Sequence, residues 1–113
     1  MRTLLAALAL ALSVASTAHA AERIFDLTIV HGKLTGDQAT IRVHQGDNVV
    51  LRWHSDRPIV LHLHGYDLET RVVPGAVAEA RFEARATGRF PIHVHKAQGQ
   101  AEIVLVYLEV YPN

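Results

Sequence analysis

Two His-x-His elements are the part of this sequence whose residue types and spacing indicate a chemical role. His62 and His64 lie in residues 59–67, Ile-Val-Leu-His-Leu-His-Gly-Tyr-Asp, and His93 and His95 repeat the spacing. Alternate residues of a β-strand project to the same face, so each pair predicts two imidazoles close together. Imidazole nitrogen is a common protein ligand of Cu(II) and Zn(II). The four histidines therefore predict a metal site.

The side chains that the sequence lacks narrow the choice of metal. There is no cysteine, and the single methionine is Met1, which a cleaved leader would remove. Thiolate and thioether sites for Cu(I) are therefore disfavoured, and an iron–sulfur cluster held by cysteines is excluded. We expect a nitrogen-rich site for Cu(II), with Zn(II) as the second choice.

The strands that carry the two pairs must be neighbours for the histidines to meet. Adjacent strands lie about 4.8 Å apart, which suits one ion bound by facing side chains. We expect His62 and His64 to supply one side of the site, and His95 together with His93 to supply the other. Alternation places the second pair on the face opposite Ile92, so we expect a bulge or the end of the strand to turn one of them inward.

A structural role is the alternative for these histidines. In that case the first pair lies in the core with backbone hydrogen bonds, the second pair lies on a solvated face, and the protein is a metal-free interaction module. Three further histidines stand at predicted strand ends or turns and are expected at the surface: His31, His44 and His54. The loop after the second pair holds two candidates for a distal oxygen ligand: Gln98 and Gln100.

The rest of the chain alternates apolar and polar residues with the period of β-strands. The predicted strands cover residues 23–31, 40–43, 48–54, 59–67, 68–73, 76–86, 89–95 and 103–111. Residues 33–37 are predicted to form a turn, and residues 76–86 are predicted as a strand although their composition is typical of a helix. The last strand is apolar on both faces and is expected to be central in its sheet. Seven or eight short strands of this kind predict an all-β, antiparallel Greek-key β-sandwich.

The N-terminus has the pattern of a secretory signal peptide over residues 1–20: a short basic start, an apolar run and a small-residue cleavage site. The apolar run is too short to be a stable membrane span. We expect cleavage after Ala20, which releases one domain of residues 21–113 to the periplasm or the exterior. Cleavage after Ala18 is the alternative, and it would make His19 an N-terminal residue whose amine and imidazole could chelate copper together.

The charge of the chain argues against a polyanionic partner. The 11 Lys and Arg residues balance the 11 Asp and Glu residues, and no run of basic residues occurs. We therefore expect neither a nucleic-acid interface nor binding to a membrane surface. Neither a Gly-x-Ser-x-Gly nucleophile motif nor a glycine-rich phosphate loop occurs in the sequence.

The order of several short segments resembles the cupredoxins, the β-sandwiches of plastocyanin-like blue copper proteins and multicopper oxidase domains. The segments are the turn Gly46-Asp47 before Val-Val-Leu-Arg-Trp, the connection Ser-Asp-x-Pro, the histidine strand ending in Tyr-Asp, then Pro-Gly, Gly-Arg-Phe-Pro-Ile and a final Val-x-Leu-Glu-Val-x-Pro. The resemblance extends over essentially all of residues 21–113 and implies the cupredoxin fold.

The resemblance also implies copper ligands. His62 matches the early histidine ligand of the family, and His-Leu-His-Gly at residues 62–65 resembles the copper-binding His-x-His-Gly elements of multicopper oxidases. Val94 falls near the position of the family's cysteine ligand, and no methionine follows it. This departure implies a pale, all-nitrogen Cu(II) centre instead of a blue copper site.

These observations give one leading hypothesis for the function. The protein is expected to be an exported copper-binding protein that binds, sequesters or transfers copper, with a copper-donor or acceptor protein as its partner. A small copper or zinc enzyme of redox or hydrolytic type is one alternative, because a histidine-bound metal with an open position has such chemistry. The metal-free interaction module is the other.

Overall fold

The computed structural model describes residues 10–13, 21–36, 39–95 and 102–113. Most of the predicted signal peptide, its cleavage site and the two candidate glutamines lie outside these ranges. Within these residues, no helix is long and apolar enough to cross a membrane. Nine strands are present in the described residues: β1 (Glu22–Val30), β2 (Lys33–Leu34), β3 (Thr40–His44), β4 (Asn48–Ser55), β5 (Ile59–Leu63), β6 (Leu68–Val72), β7 (Ala78–Glu83), β8 (Gly88–Val94) and β9 (Ile103–Tyr111).

The strands form two sheets packed face to face, as the sequence predicts. One sheet has the strand order β2-β1-β4-β7, and the other has the order β3-β9-β8-β5-β6. Most neighbours are antiparallel, but β1 runs parallel to β4 and β3 runs parallel to β9. The chain passes to the other sheet between β2 and β3 and again between β3 and β4, so strands that pair in parallel are not consecutive in the chain. The all-β sandwich is confirmed, with nine strands and two parallel pairs.

The core lies between the two sheets and consists of the inward residues of each strand. Trp53 is its largest fully buried side chain, and β9 lies between β3 and β8, which confirms its predicted central position. Alternation explains the set, because every second residue of a sandwich strand faces the other sheet. In β5 and β8 of the second sheet, the inward residues alternate with the histidines: Leu61, Leu63, Ile92 and Val94.

Two local predictions have different outcomes. The ambiguous stretch 76–86 does contain a strand, β7, which pairs antiparallel with β4. The predicted turn at 33–37 was placed wrongly, because Lys33 and Leu34 pair with the end of β1. The tight turn is at His31 and Gly32 instead, where both residues have positive φ angles of 51° and 77°. A two-residue connection with this backbone matches the twist of a hairpin.

Strands β5 and β8 are antiparallel neighbours in the middle of the second sheet. Leu61 pairs with Val94, His62 with His93, and Leu63 with Ile92. A bulge is present beside them, because the pairing of β8 with β9 shifts between Ile92 and His93. The extra residue belongs to β9, so the alternation of side chains along β8 is undisturbed.

Candidate metal centre

All four histidines of the two His-x-His pairs lie on the outer face of the second sheet. Leu61 and Leu63 face the core, so His62 and His64 between and after them face outward. The same alternation in β8 puts Ile92 and Val94 in the core and the second pair outside. The prediction that His93 and His95 lie opposite Ile92 is therefore right. No bulge has to turn one of them inward, because the first pair is on the outer face too.

The histidine rings form a compact group across the two strands. The ring centroids of His62 and His64 are 4.3 Å apart, and those of His64 and His93 are 4.5 Å apart. The centroids of His62 and His95 are 6.0 Å apart. The arrangement follows from the register, since His62 pairs directly with His93. The contacts of His62 with His95 and of His64 with His93 are therefore the diagonal ones. Four imidazoles that arise from two separate stretches of sequence thus meet on one surface.

Burial divides the four histidines into two central and two peripheral side chains. The side chains of His62 and His93 are 19% and 18% exposed, whereas those of His64 and His95 are 42% and 45% exposed. The alternative that the first pair lies in the hydrophobic core does not describe this arrangement. An ion held at this face would have protein ligands beneath it and an accessible side toward solvent.

Each histidine of the group has a carboxylate within 4 Å. Glu102, just before β9, lies 2.5 Å from Nδ1 of His93 and 3.8 Å from Nε2 of His64. At the other end of the group, Nε2 of His62 lies 3.5 Å from Asp67. Nε2 of His95 likewise lies 3.5 Å from a carboxylate oxygen: that of Glu69. Carboxylates next to metal-binding imidazoles fix the ring orientation and strengthen the ligand.

Glu102 is anionic under ordinary conditions. The hydrogen bond from His93 lowers the pKa of the Glu102 carboxyl, and the nearby charges of His93, His95 and His64 act in the same direction, against a smaller opposing effect of desolvation. A carboxylate that stays ionised in this position offers an oxygen donor to a cation. It also makes the local charge favourable for a divalent ion.

The donor atoms of three residues lie close enough to bind one ion. One donor atom from each of His64, His93 and Glu102 lies within 4.8 Å of the others. Nε2 of His64 is shielded from solvent and has no hydrogen-bond partner among the described residues. A buried nitrogen without a partner is costly in a folded protein, and a metal ion would satisfy it. The donor set of nitrogen and oxygen atoms fits Cu(II) or Zn(II), and no thiolate is present to form a blue copper site.

The three other histidines of the described residues lie away from this group. His31 is exposed in the first hairpin beside Asp56, with 3.7 Å between them, and His44 is exposed in β3 near Tyr111. His54 belongs to β4 in the opposite sheet, so it does not join the group.

Glu102 is the one member of the group that sequence reasoning missed. A signal was available, because Glu102 directly precedes the predicted last strand, and that strand forms a hairpin with the strand of the second pair. A residue at the start of the returning strand lies near the end of the outgoing one. The shifted register of β8 and β9 could not be read from the sequence.

Comparison with known proteins gives a result at the level of the fold. No protein-family model matches this chain, and none of the curated proteins matches its sequence. Among solved structures, the periplasmic domain of subunit II of cytochrome oxidase from Bradyrhizobium japonicum is similar, with a TM-score of 0.63 at 13% identity, over 80% of this chain and 85% of that chain. A blue copper oxidase from Nitrosomonas europaea has a TM-score of 0.63 at 21% identity, over 80% of this chain and 39% of that chain.

A third similar structure is a chain of a heme-copper terminal oxidase dimer, with a TM-score of 0.62 at 18% identity, over 78% of this chain. The matched region is 64% of the terminal oxidase chain. A multicopper oxidase is also similar, and there the matched region is 39% of the chain. This chain thus corresponds to part of those larger proteins. At such low identity the likeness concerns the fold and not the activity.

Proposed function

The chain has the cupredoxin fold, and on this premise we propose that it is an exported copper-binding protein whose Cu(II) site lies on the outer face of the second sheet. The site consists of the four histidines together with Glu102. The observation that carries this proposal is the convergence of His64, His93 and Glu102, whose donor atoms lie within 4.8 Å of one another. His62 and His95 extend the same group and supply the further nitrogen ligands.

Copper is favoured over zinc by general ligand chemistry. Among divalent ions of the first transition row, a given site of nitrogen and oxygen donors binds Cu(II) most tightly. The absence of cysteine and the lack of any methionine after Met1 leave no soft ligand that would favour Cu(I). The similar solved structures include copper oxidases, which agrees with this choice. Zn(II) remains the competitor to test.

The exposure of the site supports sequestration or transfer of copper as its role. The side chains of His95 and Glu102 are 45% and 39% exposed. A partner protein that donates or accepts copper therefore has a route to the ion without unfolding of the sandwich. Export is proposed from the N-terminal pattern, with residues 1–20 removed and residues 21–113 forming the mature domain.

The first experiment measures the mature mass and the bound metal together. The protein is expressed with its leader, purified from the periplasm and loaded with Cu(II) or Zn(II). We expect the mass of a chain whose first residue is Ala21. We also expect about one copper per chain and an EPR spectrum of Cu(II) with nitrogen ligands. A mature protein that takes up neither ion would contradict the metal site. The mass of a chain whose first residue is His19 would instead indicate the alternative cleavage after Ala18.

Glu102→Gln tests the part played by the carboxylate. This change keeps the size of the side chain and removes its charge, so we expect Cu(II) affinity to fall by about 10–100-fold, as for other carboxylates that support metal ligands. The measurement is a competition titration against a chelator of known affinity. The matched control is Glu22→Gln at the start of β1 in the opposite sheet, which should bind copper like the wild type. Equal affinities for all three proteins would remove Glu102 from the site.

A further inference from the structure

Gly65, the residue after His64, is in unusually close contact with an aromatic ring. Its φ is +87°, and a Cβ atom at this position would lie 2.3 Å from Cδ1 and 2.6 Å from Cε1 of Phe90. The contact agrees with the antiparallel register, because Leu63 pairs with Ile92. Two positions further on, Gly65 and Phe90 come opposite each other on the same inward side of the sheet. Only glycine allows the ring to approach the backbone this closely.

The same ring belongs to an aromatic cluster that holds the turn after β5. The rings of Phe90 and Tyr66 are 5.1 Å apart at 80°, and Tyr66 also packs at 5.0 Å against Phe82 of β7. The Tyr66 hydroxyl donates a hydrogen bond of 2.8 Å to the carbonyl oxygen of Ala86 and accepts one of 3.2 Å from its N–H. The turn is thus attached to both sheets through one side chain. Edge-to-face packing and a satisfied hydroxyl make this attachment rigid.

We propose that the contact of Gly65 with Phe90 positions His64 for metal binding, an inference that rests on the proposed function. The N–H of His64 donates a 3.1 Å hydrogen bond to the carbonyl oxygen of Pro91, the residue after Phe90. The ring of His64 lies 4.5 Å from the ring of His93, which is in β8 together with Pro91. Displacement of Phe90 would therefore shift the backbone that fixes His64, and would change the distance between two metal ligands. Gly65 and Phe90 are positioning residues, since neither side chain offers a ligand atom.

Gly75 separates the close contact from the backbone requirement for glycine. It has a similar φ of +82°, but a Cβ atom there would meet nothing within 4 Å. Gly65→Ala and Gly75→Ala therefore both place a side chain at a positive φ, and only the first adds a collision with Phe90. A difference between the two variants in metal binding reports the contact itself.

The test compares Gly65→Ala, Gly75→Ala and Phe90→Leu with the wild type. The readouts are Cu(II) affinity, the Cu(II) EPR spectrum and thermal stability. We expect Gly65→Ala and Phe90→Leu to weaken copper binding by about 10–100-fold and to alter the EPR spectrum, as for other losses of support around metal ligands. Gly75→Ala should keep the affinity and spectrum of the wild type. Equal affinity and spectra for Phe90→Leu and the wild type would overturn the proposal even if Gly65→Ala does not fold.

A second readout does not depend on copper. In the metal-free protein, NMR should detect a nuclear Overhauser effect between the rings of His64 and His93, which are 4.5 Å apart. We expect this effect in the wild type and in Gly75→Ala, and its loss or marked weakening in Phe90→Leu. If the wild type fails to bind copper but the nuclear Overhauser effect is present in it and lost in Phe90→Leu, the result would contradict the proposed function and leave the positioning of His64 intact. An unchanged effect in Phe90→Leu would contradict the positioning alone.

Discussion

Replacement of His64 and His93 together by alanine should leave a folded protein that no longer retains copper. These residues supply two of the three donor atoms that lie within 4.8 Å of one another. Loss of a residue that only supports a ligand costs about 10–100-fold in metal affinity, so loss of two ligands should cost more than 100-fold. The fold should persist, because both side chains lie on the outer face, away from the core. Metal analysis after gel filtration gives the copper content, and circular dichroism checks the fold.

Two matched double variants make this result specific. His44→Ala with His54→Ala removes the same number of imidazoles from outside the group and should retain about one copper per chain. His62→Ala with His95→Ala removes the more widely spaced pair, with ring centroids 6.0 Å apart, and should weaken binding less than the loss of His64 and His93. If the His62 and His95 variant alone lost copper, the centre would lie at the other end of the group. Retention by every variant would place any copper elsewhere.

The fold was largely predictable because the sandwich obeys one simple rule. Most strands bury alternate residues, so a period of two is visible in the sequence. Strand β7 illustrates this, since Ala80 is buried while the charged residues on either side of it, Glu79 and Arg81, are exposed. The short strand β2 was missed because two residues carry no period. The parallel pairing of β1 with β4 depends on which strands become neighbours across the sandwich, which alternation does not determine.

The sequence predicted that the four histidines lie close together, but it did not predict the face of the sheet on which they lie. The His-x-His spacing predicts a shared face for each pair, and only the burial of Leu61 and Leu63 in the structure shows that this face is outward. The expectation that one histidine of the second pair must turn inward was unnecessary, because the first pair faces outward as well. Glu102 joins the group through a bulged hairpin, and Gly65 matters through a contact with Phe90 across two strands. Such contacts depend on register, and the sequence alone left the register undetermined.

Acidification should release copper from the folded protein between pH 7 and pH 5. Imidazole binds a metal only when its ring nitrogen is unprotonated, and free imidazole side chains titrate near pH 6.5. Two or three imidazole ligands should therefore lower the apparent Cu(II) affinity by about three to four orders of magnitude over this range. A competition titration at pH 7, 6 and 5 measures the change. His44→Ala with His54→Ala should give the same pH profile as the wild type.

The carboxylate of the site should not contribute to this release. The hydrogen bond from His93 lowers the pKa of Glu102 below its ordinary value of 4.5, so the carboxyl stays anionic at pH 5. A group whose pKa is lowered on folding stabilises the fold above its ordinary pKa, and that stabilisation is lost only as the pH falls through the lowered value. The loss of copper at pH 5 should thus occur with an unchanged circular dichroism spectrum. Copper affinity that stays constant from pH 7 to pH 5 would mean that oxygen or backbone ligands, and not these histidines, hold the ion.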